Sequence, residues 1–399
     1  MSNEFLLTTE IQINKSLLGH FKAGYVLVVE DMPNMRRSLR NMLKHIGIKE
    51  NHIIEAGDGD IALKIIQKEP DKSIFVLMLL DWNMPHVSGI EVLKKIKKDE
   101  KLKNMHVLMV TAECNEQQIA LAVEQGAESY IIKPFIAKTL QEKMFNIINP
   151  PVYLKLIKQG EELIKQGKFD EALSILEDVL KTKPESASIR ILMGKAFEGK
   201  KENEKAYQLY KEAVEKNPEY LRAHNTVADF LLKIGKKKEA LDSLERAAKI
   251  SPFNADRQIT IGKLALENEK DPEKARRAFK TAMRENPQMA EDIAEAYLKN
   301  DKAEEAEMFF RTSLAQKENV HVYNRLGIAL RRQKKWKKAI EEYMKALKVE
   351  RKNETIFYNI GTAYLEGNKK KDAVEYFKKA LAIDPNFEEA KKILQKIDA

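Results

Sequence analysis

The sequence predicts a chain of two parts: a doubly wound α/β domain with a five-stranded parallel sheet, followed by an all-helical array of repeats. Two observations predict this division. In residues 1–150, short apolar runs alternate with helical patterns, which is typical of a parallel sheet covered by helices on both faces. After residue 152, small residues recur about every 34 positions, a period that indicates stacked helix pairs.

Five strands and five helices are predicted in the first part. The strands are the apolar runs Tyr25–Val29, His52–Ala56, Ile74–Leu80, His106–Val110 and Ser129–Ile132. The helical patterns lie near Met35–His45, Gly59–Gln67, Gly89–Lys97, Glu116–Glu124 and Lys138–Ile148. Because an open parallel sheet binds its ligand beyond the carboxyl ends of its strands, we expect the function at the residues that end them.

A proline pair marks the predicted border between the two parts. In Asn149-Pro150-Pro151, the prolines remove two backbone donors and disfavour helix in the residues before them. We therefore expect an extension at 1–21, the sheet domain at 22–148, a linker at 149–152, seven repeats at 153–387 and a capping helix at 388–399.

The repeats have a fixed pattern of small and large residues. The small residue of each unit is Gly160, Gly194, Ala228, Gly262, Ala294, Gly327 or Gly361. An alanine follows most of them after 12 positions, with Ala275 displaced by one, and Phe279, Phe310, Tyr343 and Phe377 fill the space between helices. This pattern resembles the tetratricopeptide repeat (TPR) family, which implies an all-α solenoid whose inner surface binds a protein or peptide.

Acidic residues follow two of the predicted strands, and a lysine follows a third. Glu30 and Asp31 end the first strand, Asp81 ends the third, and Lys133-Pro134 follows the fifth. Three carboxylates at one edge of a sheet repel one another unless a cation is present. Magnesium, which prefers oxygen ligands and commonly binds phosphate as well, fits such a site. The pattern therefore predicts phosphoryl transfer to a carboxylate.

These residues, together with Thr111 and Tyr130, resemble the receiver domain of two-component response regulators over residues 22–148. The stretch Asp81-Trp82-Asn83-Met84-Pro85 is similar to the chemotaxis response regulators in particular. The resemblance implies a flavodoxin-like fold and a phosphoryl group taken by Asp81 from a histidine kinase or phosphotransfer protein.

The resemblance also implies a role for each site residue. Asp31, Asp81 and the carbonyl of Asn83 are expected to bind Mg²⁺, with Glu30 acting through water. Lys133 is expected to pair with the phosphoryl group, and its bond to Pro134 to be cis. Thr111 and Tyr130 are expected to carry the switch that changes the face near the fourth and fifth helices.

Composition narrows the class of protein. The net charge is +9, but residues 1–150 hold 19 basic and 19 acidic residues, and the excess is spread over the remainder. A basic excess mixed with acidic residues is more typical of a solvated surface than of a nucleic-acid site. The single cysteine, Cys114, and the lack of an apolar run of roughly 20 residues predict a cytoplasmic protein without a membrane span.

Three functions remain open at this point. The first is a response regulator, not a metabolic enzyme, whose output is protein binding by the TPR array. The second is a phosphoryl sink or kinase inhibitor that uses the array for docking, and the third is an RNA-binding array. The predicted groove residues carry mixed charges: Arg222, Asn225, Asp229, Lys263, Glu291, Glu295, Asn324, Arg331 and Arg332.

Overall fold

The computed structural model describes residues 19, 21, 24–112, 116–269 and 271–398. Cys114 and nearly all of the predicted extension lie outside these residues. The chain packs into two units, Met1–Pro252 and Phe253–Ala399. None of the helices in the described ranges combines the length and the apolar composition needed to cross a membrane.

A five-stranded parallel sheet forms the centre of the first unit. Its order is β2-β1-β3-β4-β5. The chain passes from β1 to β2 on one side and then crosses to β3 on the other side of β1, so the switch in strand order lies between β1 and β3. The strands are β1 Tyr25–Val29, β2 Ile53–Ala56, β3 Phe75–Asp81, β4 His106–Thr111 and β5 Ser129–Ile132. The predicted five-stranded parallel sheet is confirmed.

Five helices accompany this sheet: α1 Pro33–Ile46, α2 Gly59–Lys68, α3 Gly89–Lys98, α4 Glu116–Glu124 and α5 Ala137–Ile148. Side chains of α1 and α5, such as Leu43 and Met144, form one core with alternate residues of β1, β3 and β4. The residues between them in each strand are also buried. Since both faces of the sheet are covered, its central strands are continuous apolar runs.

Three antiparallel helix pairs complete the first unit. They are α6 Val152–Lys165 with α7 Phe169–Thr182, α8 Ala187–Gly199 with α9 Asn203–Lys216, and α10 Leu221–Lys233 with α11 Lys237–Ile250. The second unit holds α12 Ala255–Leu264, α13 Pro272–Glu285, α14 Ala290–Lys299, α15 Ala303–Gln316, α16 Val320–Arg332, α17 Trp336–Val349, α18 Glu354–Glu366, α19 Lys370–Ile383 and α20 Glu388–Asp398. The last helix, α20, packs on α19.

Small residues let a large side chain of the neighbouring helix approach closely, and in several pairs this side chain is an aromatic ring. A Cβ atom added to Gly194 would lie 2.4 Å from Tyr210, and one added to Gly327 would lie 2.2 Å from Tyr343. Both rings are fully buried. The repeating glycines are therefore required by packing between helices.

A π-helical turn explains the irregular fourth repeat. Ala265–Glu269 forms this turn directly after α12. A π turn accommodates one extra residue in a helix. Phe279 accordingly contacts Gly262 from 17 positions away, whereas Tyr210 and Tyr343 contact their glycines from 16. The displaced alanine, Ala275, is still fully buried.

Replacing Gly327 by alanine should destabilise the second unit. In an open helix this change stabilises by about 1 kcal/mol because glycine is a poor helix former. Here the new methyl group overlaps the Tyr343 ring, and overpacking of this kind costs about 1–3 kcal/mol. Urea unfolding followed by circular dichroism should therefore show a lower midpoint.

The control is Gly57→Ala, because a Cβ atom there has no neighbour closer than 3.8 Å. It should leave the midpoint nearly unchanged. A Gly327→Ala protein as stable as the wild type would contradict the packing argument.

Candidate functional site

The parallel register brings the carboxyl ends of the strands to one edge of the sheet. Val29 pairs with Leu80, Asp81 with Val110, and Thr111 with Ile132. Glu30 and Asp31 follow β1 directly, and Lys133 follows β5. One carboxylate oxygen from each of Glu30, Asp31 and Asp81 lies within 4.8 Å of the others. The structure thus assembles the acidic cluster that the sequence predicts.

Lys133 is the cation that faces this cluster. Its Nζ donates to Glu30 Oε2 and to Asp81 Oδ1, each at 2.8 Å. Glu30 is fully buried and Asp81 is 6% exposed. The Lys133-Pro134 peptide bond is cis, as expected, and Lys133 N donates to the Thr111 carbonyl at 2.7 Å. One ammonium group therefore serves two buried carboxylates.

Burial has the largest effect on the pKa values of Glu30, Asp81 and Lys133. Loss of solvent raises the pKa of Glu30, the Lys133 hydrogen bond opposes this, and the Asp81 charge adds to it. Burial likewise raises the pKa of Asp81 against the opposing effect of Lys133. For Lys133, burial favours the neutral form, but the hydrogen bonds to Asp81 and Glu30 outweigh it, so its pKa is raised. Protons are therefore held more tightly here than by ordinary carboxylates.

The donor set fits a hard divalent cation. The cluster offers only carboxylate oxygens, and their mutual repulsion is relieved by a cation placed between them. Lys133 contacts Asp81 Oδ1 and Glu30 Oε2, and the Met32 N–H donates to Glu30 Oε1 at 3.4 Å. Asp31, which is half-buried, and the second oxygen of Asp81 are therefore the more accessible ligand positions. Asn83, two residues after Asp81, is exposed. Its predicted carbonyl ligand remains a prediction.

Gly89 allows a helix to begin against the acceptor residue. A Cβ atom at this position would lie 2.0 Å from the Asp81 carbonyl oxygen, so no larger residue fits. The Gly89 N–H donates to the Trp82 carbonyl at 3.0 Å. Helix α3 thereby holds the chain after Asp81 in place, which explains the spacing between Asp81 and Gly89 in the sequence.

The two predicted switch residues lie on neighbouring strands of the sheet. Thr111, the last residue of β4, is 3% exposed. Tyr130 is in β5 and is half-buried, and Lys143 Nζ lies 5.5 Å from its ring centroid. Their predicted roles remain predictions, but both lie on the strands that end at the cluster.

Sequence reasoning missed Arg36. Its Nη1 donates to the carbonyl of Glu30 at 2.6 Å and to that of Asp31 at 3.3 Å. Its Nε lies 3.5 Å from Glu55 Oε2. The guanidinium thus fixes the backbone that presents the acidic pair. An arginine in the first turns after an acidic pair is the signal that could have identified it.

The predicted groove residues of the first unit differ in their surroundings. Arg222 pairs with Glu161 at 2.9 Å, and Asp229 is exposed. Asn225 Nδ2 donates instead to Glu124 of α4 at 2.8 Å. One predicted groove position therefore contacts the sheet domain.

In the second unit, Lys263, Glu295 and Arg332 line one cavity of about 450 Å³. The other predicted positions have partners within this unit: Glu291 lies 3.9 Å from His321, Asn324 accepts from Asn359 at 2.8 Å, and Arg331 lies 3.7 Å from Glu366. Acidic and basic groups are mixed at these positions, as the sequence predicted. Their part in partner binding remains a prediction.

Comparison with protein families gives two kinds of match. Residues 26–145 match the response regulator receiver domain. Tetratricopeptide repeat families match residues 157–220, 199–264, 259–321 and 320–386. Both resemblances noted in the sequence are confirmed, whereas the predicted limits of each segment remain predictions.

Individual relatives match the first part of the chain. Chemotaxis protein CheY-3 of Vibrio cholerae is 43% identical over 122 residues, which are 31% of this chain and 89% of that protein. Chemotaxis protein CheY of Pseudomonas aeruginosa is 39% identical, over 31% of this chain and 94% of its own length. A solved structure of Vibrio cholerae CheY4 is 27% identical and covers 31% of this chain and 98% of that one, with a TM-score of 0.28.

The affinity for Mg²⁺ should rise with pH and then level off. A protonated carboxyl group does not bind the cation, and the pKa values of Glu30 and Asp81 are both raised. The rise should therefore extend to higher pH than ordinary carboxylates, with a pKa near about 4, would give. Trp82, next to the acceptor, can report binding by fluorescence in a Trp336→Phe background, which removes the other tryptophan.

Two variants complete this titration. Asp31→Asn should weaken Mg²⁺ by about tenfold or more, because it removes a charged ligand. Asp60→Asn makes the same chemical change in α2, at a side chain that is 49% exposed and pairs with Lys64, and should have no effect. An affinity that does not change with pH would contradict the proposed ligand set.

Proposed function

We propose that phosphorylation of Asp81 controls protein binding by the repeats, since this chain belongs to the response regulator family and carries tetratricopeptide repeats after its receiver domain. The observation that supports this most directly is the contact of Lys133 with Asp81 and Glu30 beside an acidic cluster. A buried acceptor carboxylate next to a lysine and a cation site is suited to phosphoryl transfer.

The phosphoryl donor in this proposal is a phosphohistidine of a histidine kinase or phosphotransfer protein. A carboxylate oxygen of Asp81 attacks the phosphorus, and the P–N bond breaks. The histidine nitrogen keeps the bonding electrons and is protonated. The product is an acyl phosphate on Asp81. Hydrolysis by water then breaks the new P–O bond and restores the carboxylate.

The residues around Asp81 supply positioning and charge. Glu30, Asp31, Asp81 and the Asn83 carbonyl would hold Mg²⁺, which neutralises charge on the phosphoryl oxygens when it is bound. Lys133, already 2.8 Å from Asp81, is placed to follow the added negative charge. This chain therefore acts catalytically only on its own phosphorylation and dephosphorylation, and we propose no metabolic reaction for it.

Thr111 and Tyr130 form the proposed switch. Phosphorylation converts the single negative charge of the Asp81 carboxylate into about two charges on an acyl phosphate, whose three acceptor oxygens lie beside the buried Thr111 hydroxyl. A hydrogen bond from this hydroxyl draws the end of β4 toward Asp81, and the half-buried Tyr130 ring moves into the vacated space. A local charge event of this kind can shift a balance between two arrangements.

Asp81→Asn should abolish labelling by radioactive acetyl phosphate, because an amide cannot form the acyl phosphate. The labelled fraction should fall to background in the full-length protein. Asp60→Asn, at a half-exposed side chain of α2, should be labelled like the wild type. Label retained in Asp81→Asn would show that another residue is the acceptor.

Co-purification separates a regulated adaptor from a phosphoryl sink. Proteins captured by the full chain would be compared with and without beryllium fluoride and Mg²⁺, which mimic the phosphoryl group. For a regulated adaptor, beryllium fluoride should change the set of captured proteins in the wild type but not in Asp81→Asn. Capture that is the same in wild type and Asp81→Asn under both conditions would favour a sink that uses the array for docking.

A further inference from the structure

The helix that follows Thr111 contacts the repeats of the same unit. Helix α4 packs against α10. Glu124, the last residue of α4, accepts hydrogen bonds from Asn225 Nδ2 at 2.8 Å and from Ser251 Oγ at 3.4 Å. Ser251, just after α11, is fully buried. One carboxylate of the receiver domain is thus bound by two polar groups of the third helix pair.

The apolar part of this contact is loosely packed. A cavity of about 520 Å³ lies at the contact and is lined by Ala120 and Val123 of α4 and by Leu221 and Ile250 of the repeats. Val123 remains 56% exposed although it faces this cavity. Protein interiors are normally close-packed. The contact is therefore held mainly by Glu124, and little apolar surface has to be exposed when it opens.

The contact is also closely tied to the phosphoacceptor site. Helix α4 begins at Glu116, five residues after Thr111, and connects β4 to β5. After α4 the chain returns to the sheet, where Glu128 N donates to the Val107 carbonyl at 3.2 Å. Both ends of the α4 segment are thus attached to strands that end at the acidic cluster. A movement of Thr111 in β4 and Tyr130 in β5 therefore shifts the strands to which α4 is attached.

We propose that α4 is an internal ligand of the surface formed by Leu221, Asn225, Ile250 and Ser251, and that phosphorylation of Asp81 releases it. This inference rests on the proposed function and names its regulation. The surface freed by release has one carboxylate-binding position beside an apolar depression. It fits an external protein helix with the chemistry of α4: small and apolar residues at the positions of Ala120 and Val123, followed directly by an acidic residue.

Hydrogen exchange tests this proposal in the full-length protein. Asn225→Asp places a carboxylate opposite Glu124 and replaces a hydrogen bond by repulsion. Amide exchange in 116–124 and 221–233, measured by mass spectrometry, should become about tenfold faster or more, as expected when a hydrogen bond to a charged group is lost. Beryllium fluoride with Mg²⁺ should produce the same change in the wild type.

A double variant and a matched control make the result specific. Glu124→Gln combined with Asn225→Asp exchanges the amide and the carboxylate, so the hydrogen bond can re-form and slow exchange should return. Asn203→Asp adds the same charge at an exposed residue of α9 and should leave both segments unchanged. Fast exchange in the double variant, or no effect of Asn225→Asp alone, would overturn the contact.

Binding of beryllium fluoride separates this inference from the proposed function. Because coupling is reciprocal, Asn225→Asp should bind beryllium fluoride more tightly, as measured by Trp82 fluorescence, by the same factor by which beryllium fluoride weakens the contact. If beryllium fluoride binds but exchange in 116–124 and 221–233 is unchanged, release is wrong and the proposed function stands. If it does not bind at all, the proposed function is wrong and release by phosphorylation fails with it.

Discussion

The interaction on which the receiver site depends is the sharing of Lys133 by two buried carboxylates. Glu30 is fully buried and Asp81 nearly so, and each accepts from the same ammonium group at 2.8 Å. Removing one partner of a buried ion pair costs about 3–5 kcal/mol because the remaining charge is left uncompensated. With two carboxylates for one ammonium, the cluster retains excess negative charge. This excess negative charge attracts a further cation to the site.

The sheet topology is what makes this arrangement possible. Glu30, Asp81 and Lys133 are far apart in the chain, yet each follows or ends a strand of one parallel sheet. The register brings those strand ends to a common edge. Two further features keep the edge in shape. Arg36 holds the backbone of Glu30 and Asp31, while Gly89 lets α3 begin against the Asp81 carbonyl. The geometry of the acceptor is thus set by backbone contacts as much as by the ionised groups.

The sequence predicted these features to different degrees, for physical reasons. The strand ends were predictable because buried parallel strands are continuous apolar runs, and polar residues directly after them must lie at one edge. The glycines of the repeats were predictable because each must admit a large side chain, as Gly327 admits Tyr343 and Gly160 admits Leu176. The π turn at Ala265–Glu269 left only a one-residue displacement of Ala275 as its signal. The contact of Glu124 with Asn225 left none, since a single polar pair between distant segments has no period to detect.

The proposed release of α4 requires a contact that is neither too strong nor too weak. Glu124 is a charged acceptor, and a well-formed hydrogen bond to a charged group, such as the one from Asn225 at 2.8 Å, contributes about 1.5–3 kcal/mol. The cavity beside Val123 means that close packing adds little to this. Shifting a two-state balance from 1:99 to 99:1 takes about 5.5 kcal/mol. In the proposed release, a tightly packed contact would be harder for a charge change at Asp81 to open, and a contact without Glu124 would lose the hydrogen bonds that hold it. A loosely packed contact with a single carboxylate therefore suits the proposed release by phosphorylation.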